Sequence, residues 1–154
     1  MIKVSRMADY AILLVCKMAN NGDCVYSAHE LSIVTLLPIT TISKILTKLT
    51  KVEILDSVRG VSGGYKLSRP SKVVSLGSII DVIEGKVALT FCVEENNSCD
   101  LASTCPSYNN WHIINDAIRS ALNSISITDM NNPIFYTNKN KMNPILSKLV
   151  NMEN

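Results

Sequence analysis

The sequence predicts a mainly α protein with one small β-hairpin wing: a winged helix-turn-helix followed by a long dimerisation helix. Three observations lead there. Apolar residues recur at three- and four-residue spacing over 4–20, 38–51 and 76–84, the period of an amphipathic helix. Arg59-Gly60-Val61-Ser62-Gly63-Gly64 separates two short strand-like runs and has the chemistry of a hairpin loop. A later stretch repeats the three-four spacing from Trp111 to Ile125 without interruption. The chain divides accordingly into a winged helix-turn-helix head at 1–74, a linker helix, cysteine loop and dimerisation helix at 75–130, and a flexible tail at 131–154.

The first helix spans 4–20 and turns Met7, Ala11, Leu14, Val15 and Met18 inward, until Asn20-Asn21-Gly22-Asp23 ends it with turn residues. Ser27-Ala28-His29-Glu30 is a capping-box pattern, which predicts a helix of about eight residues packing Ala28, Leu31 and Val34. Leu36-Leu37-Pro38 interrupts it, and Pro38 opens the next helix, because proline is tolerated in a first turn. That helix, 38–51, places Ile42, Ile45, Leu46 and Leu49 on one face. Its other face carries Thr40, Thr41, Ser43, Lys44, Thr47, Lys48 and Lys51, hydroxyls and ammoniums with no carboxylate. A helix in the major groove needs such a face, with short polar groups at base edges and cations toward phosphates. Any single solvated helix looks similar, but this one follows a capped short helix, as a recognition helix does.

Residues 54–58 and 65–68 form the wing strands, with Arg59, Lys66 and Arg69 around the loop. The loop lacks the Lys-Ser/Thr ending and the strand-to-helix setting of a phosphate loop, so nucleotide binding is disfavoured. Ser75 caps a helix over 76–84 that ends at Gly85, with Leu76, Ile79, Ile80 and Ile83 apolar. After a polar loop at 92–106, a helix over 107–126 carries the seam Trp111, Ile114, Ile118, Leu122 and Ile125. A seam of that kind finds a symmetry mate, which predicts a two-fold homodimer. The tail is rich in Asn and Lys, and one weak helical turn is expected around 145–150.

The hydrophobic content of 47% supports a real core, and the 5% aromatic share makes it aliphatic. No apolar run approaches the ~18 residues of a membrane helix, and Asp9 breaks the pattern a signal peptide would need. A cytoplasmic protein with reduced thiols and no membrane partner is expected. The net charge of +2 hides an asymmetry: residues 1–72 hold ten Lys and Arg against five Asp and Glu, while 73–154 hold five against eight. A basic half suits phosphate contacts. Two histidines with no paired carboxylates argue against a hydrolase, so no enzyme activity is expected.

Cys92, Cys99 and Cys105 form a trio in the loop, whereas Cys16 and Cys24 lie far from it. Thiolates ligate both zinc and iron–sulfur clusters, and the spacing alone leaves zinc, disulfide or cluster open. An odd total of five cysteines fits a disulfide framework poorly.

The order of these features resembles one family. Met7-Ala8-Asp9-Tyr10-Ala11 in the first helix, Lys44-Ile45-Leu46, Ser57-Val58-Arg59-Gly60 with Gly63-Gly64-Tyr65, the trio and the long helix are similar to the Rrf-two (IscR/NsrR-type) bacterial transcriptional regulators. The resemblance covers about 1–130 and is greatest to regulators associated with the SUF iron–sulfur assembly system. It implies a homodimeric repressor on a palindromic double-stranded operator, carrying an iron–sulfur cluster on Cys92, Cys99 and Cys105. One branch of the family adds a histidine three positions after the last cysteine, where this chain has Tyr108. The nitric-oxide-sensing branch adds an aspartate from the partner's first helix, and Asp9 occupies that place. The resemblance therefore implies Asp9 as the fourth ligand and a 4Fe–4S cluster, with 2Fe–2S the alternative; His112, seven residues after Cys105, competes with Asp9. Rival readings are a nitric oxide sensor and a zinc-containing or cofactor-free redox-sensing DNA binder. For DNA, Thr40, Thr41, Ser43 and Lys44 are the expected base readers, and Lys48, Lys51, Arg59 and Lys66 the phosphate or minor-groove contacts.

Overall fold

The computed structural model describes residues 3–22, 24–95 and 99–132. Helix α1 (Arg6–Ala19) starts where the Ser5 hydroxyl accepts the Ala8 amide, satisfying one of the otherwise unpaired first-turn donors. It buries Ala8, Ala11, Leu14, Val15 and Met18, with Met7 half-buried beside them. Helix α2 (Ala28–Thr35) opens on the expected capping box. The Ser27 hydroxyl accepts the Glu30 amide at 3.1 Å, and the Glu30 carboxylate accepts the Ser27 amide at 2.7 Å. Those bonds hold the Glu30 carboxyl below the usual glutamate range.

Leu31 is fully buried and Ala28 packs against the core, but Val34 is exposed, contrary to its expected inward place. Each three-residue step falls about 60° short of a full turn, so a third residue at that spacing drifts off a narrow face. Leu36 closes α2 in the left-handed conformation at φ 59°, and the Ser32 hydroxyl donates to the Leu37 carbonyl at 2.7 Å across the turn. Pro38 is the cap of helix α3 (Ile39–Lys51) rather than its first residue, and its carbonyl accepts the Thr41 and Ile42 amides. Ile42, Ile45, Leu46 and Leu49 are all fully buried, as the stripe requires.

Strands β1 (Leu55–Val58) and β2 (Gly64–Leu67) pair antiparallel from Leu55 opposite Leu67 to Val58 opposite Gly64. Tyr26 adds a third rung: two backbone bonds of 2.8 Å with Tyr65 tie the hairpin to the entrance of α2. Gly64 is needed there, because a Cβ would run into the Tyr26 backbone.

A 3-10 turn at Ser71–Val73 leads into α4 (Leu76–Glu84), capped by Ser75 and stopped at Gly85 as expected. A second 3-10 turn, Phe91–Val93, precedes α5 (Tyr108–Asn123). The helix expected over 107–126 therefore ends at Asn123, and Ile125 lies outside it. Ser126 and Asp129 form a further capping box, opening the short helix α6 (Ile127–Met130). α6 folds back onto α1: Ile127 is fully buried, its amide donates to the Val74 carbonyl at 2.9 Å, and the Asn131 side chain donates to the Cys16 carbonyl at 3.0 Å. The same buried cluster thus takes in residues of α1, α3, α4 and α6. The flexible tail expected at 131–154 falls, beyond residue 132, outside the described residues. Among the described residues no helix is long and apolar enough to cross a membrane.

Candidate functional site

The buried stripe of α3 dictates which side chains face outward. Thr40, Ser43, Lys44, Thr47, Lys48 and Lys51 are exposed, and Thr41 is half-buried. The Ser43 hydroxyl donates to the Ile39 carbonyl at 2.9 Å and that of Thr47 to the Ser43 carbonyl at 2.8 Å. With their hydrogens engaged inside the helix, these hydroxyls present acceptor oxygens to the outside. Lys44 and Lys51 project from the same helix as cations. Lys48 is used differently: its ammonium donates to the Ile83 carbonyl at the end of α4, at 3.0 Å. A cation over the last turn of a helix meets the negative end of its dipole, so part of the Lys48 charge serves the α3–α4 junction.

The wing follows α3 in the chain, and its first strand, β1, packs against that helix. Gly60 adopts φ 119°, a conformation that a side chain would strain, and the Gly63 amide closes the loop on the Gly60 carbonyl at 3.0 Å. Arg59 and the tip residue Val61 are exposed. Lys66 is half-buried and stands opposite Asp56 in the strand register, a cross-strand pairing of opposite charges.

The cysteine region is held at both ends. Asn115 is the one buried polar side chain in the core of the described residues, 4% exposed, and its Oδ1 accepts the Leu89 amide at 3.1 Å. This bond pins the segment that leads to the Phe91–Val93 turn onto α5. Within that turn the Thr90 hydroxyl and the Cys92 thiol are 3.2 Å apart. At the other end the Cys105 amide donates to the Leu101 carbonyl at 2.8 Å, and the Cys105 carbonyl accepts the Tyr108 amide at 3.3 Å, which leads the loop into α5. Cys92, Cys99 and Cys105 are all half-buried and free of disulfides.

Among the described residues no three His, Cys, Asp or Glu side chains converge closely enough to hold a metal ion. The donor set nonetheless fits an iron–sulfur group by its chemistry, three reduced thiols on one loop, and an orphaned buried imidazole nitrogen belongs to the adjoining helix. Asp9 is exposed in the first turn of α1. Cys16 is half-buried, with its thiol pKa raised by burial, and Cys24 is exposed. Sequence reasoning missed Asn115 and Thr90. A polar residue inside a helical stripe carries no pattern of its own, and only the Leu89 amide reveals the role of Asn115.

The model of one protein family, described as an iron-dependent transcriptional regulator, matches residues 4–133. The chain belongs to the Rrf2 family. Over 84% of its length this Rrf2 chain is 25% identical to the HTH-type transcriptional repressor NsrR of Streptomyces coelicolor, covering 88% of that protein. Among solved structures it is similar to IscR of T. potens, at 25% identity and a TM-score of 0.63 over 84% of this chain and 85% of the other. It also shares the fold of CymR, the global cysteine regulator of B. subtilis, at 24% identity and a TM-score of 0.67 over 85% and 97% of the two chains. The mainly helical head with a two-stranded hairpin is thus the winged helix of this family, and the Rrf2 chain is a transcriptional regulator rather than an enzyme.

Proposed function

We propose that this Rrf2 chain is a homodimeric DNA-binding repressor that senses iron–sulfur cluster supply and controls iron–sulfur assembly genes. Cys92, Cys99 and Cys105 are its cluster ligands. Thr40, Thr41, Ser43 and Lys44 read base edges, and Lys51, Arg59 and Lys66 contact phosphate or the minor groove, with Lys48 divided between DNA and α4. When bound, the cluster supplies a redox- and ligand-sensitive tie across the loop.

One observation carries the coupling: the segment from Asp81 to Leu89 is bonded to the DNA-reading helix at one end and, at the other, to α5, the helix into which the cysteine loop leads. Lys48 reaches the Ile83 carbonyl, the Glu84 carboxylate accepts the Ser5 amide at 2.7 Å, Arg119 pairs with Asp81 at 3.5 Å, and Asn115 holds the Leu89 amide. A change in the loop that shifts α5 can therefore reach α3 through this bonded segment. Coupling energies between such sites are about 1–3 kcal/mol, or 5- to 150-fold in affinity.

Trp111 and Ile114 of the expected seam stay exposed on α5, which supports the first half of that helix as the dimer contact, while Leu122 packs against the chain's own core. Two recognition helices then meet half-sites about 34–36 Å apart. The exposure of Asp9 on α1 favours a second reading, the nitric oxide sensor in which this carboxylate reaches the centre of a second copy.

The test is selection from random duplex DNA with anaerobically isolated protein, repeated after the iron is chelated away. The proposal expects a palindrome with half-sites one helical turn apart and an affinity that changes at least fivefold on chelation. Equal affinity in both states, or no enriched sequence, contradicts it.

A further inference from the structure

We propose that Ile39 is a further specificity-determining residue, whose exposed side chain contacts the C5-methyl group of a thymine in the major groove. The inference rests on the reading that α3 is the recognition helix, and it adds an apolar contact to a face otherwise polar and cationic.

Helix α3 has five apolar residues, and four of them, Ile42, Ile45, Leu46 and Leu49, are fully buried. Ile39 is 43% exposed and lies outside both the buried cluster and the partly buried residues packed against it. The fold therefore gains little from an isoleucine there, since the gain scales with apolar area removed from water. Its position gives it another use. Ile39 is the first residue of α3, and the Cα–Cβ bond of a helical residue tilts toward the helix N-terminus. The side chain thus leans toward the end of the helix whose residues meet base edges in helix-turn-helix proteins. Ser43 lies four residues on, beside Ile39 on the same face, and its hydroxyl donates to the Ile39 carbonyl at 2.9 Å. Thr40, the next residue, is exposed as well.

The turn before α3 fixes this corner. Leu36 sits in the left-handed conformation, the Ser32 hydroxyl bonds across to the Leu37 carbonyl, and the Pro38 carbonyl accepts the Thr41 and Ile42 amides. A β-branched side chain on a helix is also stiff at χ1. Ile39 is therefore held out with little freedom left to lose on binding, which favours a contact.

Charge names the occupant. The outward side chains of α3 are hydroxyls and ammoniums, and the helix has no carboxylate, which complements a polyanion. In the major groove thymine presents a methyl group, where the other bases present donors and acceptors. The Ser43 hydrogen is engaged inside the helix, so its oxygen faces outward as an acceptor for an adenine N6 or cytosine N4 amino group. Ile39 and Ser43 together read a thymine beside an amino-bearing base.

The test starts from the duplex that the full chain selects from random DNA. Each thymine of a half-site is replaced in turn by deoxyuridine, which removes the methyl group and keeps the base pairing. Affinities are measured by fluorescence anisotropy for the parent, Ile39→Ala, Ile39→Val and Thr40→Ser. Covering one methyl group is worth about fourfold in affinity. The expected result is one thymine per half-site at which uracil weakens the parent by that factor. The preference should vanish in Ile39→Ala and persist in Ile39→Val and Thr40→Ser. A parent indifferent to uracil at every place overturns the assignment. So does a uracil effect that persists in Ile39→Ala, or one that vanishes in Thr40→Ser instead. If this corner serves a protein partner, Ile39→Ala binds every duplex as the parent does, which also overturns it. A parent that selects no sequence overturns the recognition-helix reading beneath it. Where Ile39→Ala fails to fold, the parent complex labelled with 13C-isoleucine decides: a nuclear Overhauser effect between an Ile39 methyl and the thymine methyl is expected, and its absence overturns the assignment.

Discussion

Replacing Asn115 with Leu tests whether the cysteine loop is positioned by one buried hydrogen bond. Leucine has the branching and heavy-atom count of asparagine, so the change leaves no cavity and removes the acceptor that holds the Leu89 amide at 3.1 Å. Leaving a buried donor unpaired costs about 1–3 kcal/mol. Leu89 is half-buried, so water partly compensates and about 1.5 kcal/mol is expected. For a chain of this size, 1 kcal/mol moves the melting temperature by roughly 4 °C, which gives a drop of about 6 °C by calorimetry. Hydrogen exchange read by mass spectrometry adds the local check, with the 86–95 segment exchanging faster while α3 stays protected. Asn115→Asp, which keeps an acceptor at the same place, should preserve more of the Leu89 protection. An unchanged melting temperature with unchanged exchange over 86–95 in Asn115→Leu refutes the claim that this bond sets the loop.

Other consequences are open to direct measurement. Lys44→Ala should weaken binding to the selected site by about 1–3 kcal/mol and relax its sequence preference, whereas Lys51→Ala should weaken all duplexes alike and lower the salt slope by about one ion; two variants that bind as tightly as the parent would remove α3 from the interface. Ser27→Ala should cost about 1 kcal/mol of stability by opening the capping box. The Glu30 carboxyl is held below its ordinary value of 4.5, so its contribution is fully present above that pH and is lost as pH falls through its lowered value. Denaturant titrations at pH 7 and near pH 3 should therefore show the parent–variant gap narrowing on acidification, and a constant gap would remove the carboxylate from the cap. Leu36→Gly should raise stability by about 0.5–1 kcal/mol, because an exposed leucine at φ 59° pays for a conformation that glycine adopts freely; a lower melting temperature would show that the leucine side chain matters there.

Much of the head was legible because its signals are local. The α3 stripe needs only the helical period, the caps at Ser27 and Ser75 need only a hydroxyl at a helix start, and the wing needs only glycines between two short runs. What escaped depends on partners distant in the chain. Lys48 reads as one more cation on a solvated face until Ile83, 35 residues on, supplies a carbonyl. Val34 continues a plausible apolar spacing, yet so short a helix buries too narrow an edge to include it. The end of α5 and the turn of α6 were legible in principle, since Ser126-Ile127-Thr128-Asp129 has the same capping spacing as Ser27 and Glu30. The unbroken apolar seam from Trp111 to Ile125 concealed it. Within the site, the cysteines announce themselves by type and spacing. The burial of His112 Nε2 beside the Tyr108 ring belongs to the folded chain, and no local pattern encodes it.

The most direct test of a cluster-sensing regulator is a count of iron and acid-labile sulfide, with an absorption spectrum, on protein purified without oxygen, beside Cys105→Ala. The account predicts a broad visible band with iron and sulfide in equal, stoichiometric amounts, sharply reduced in the variant. A colourless protein binding one zinc per chain would contradict it.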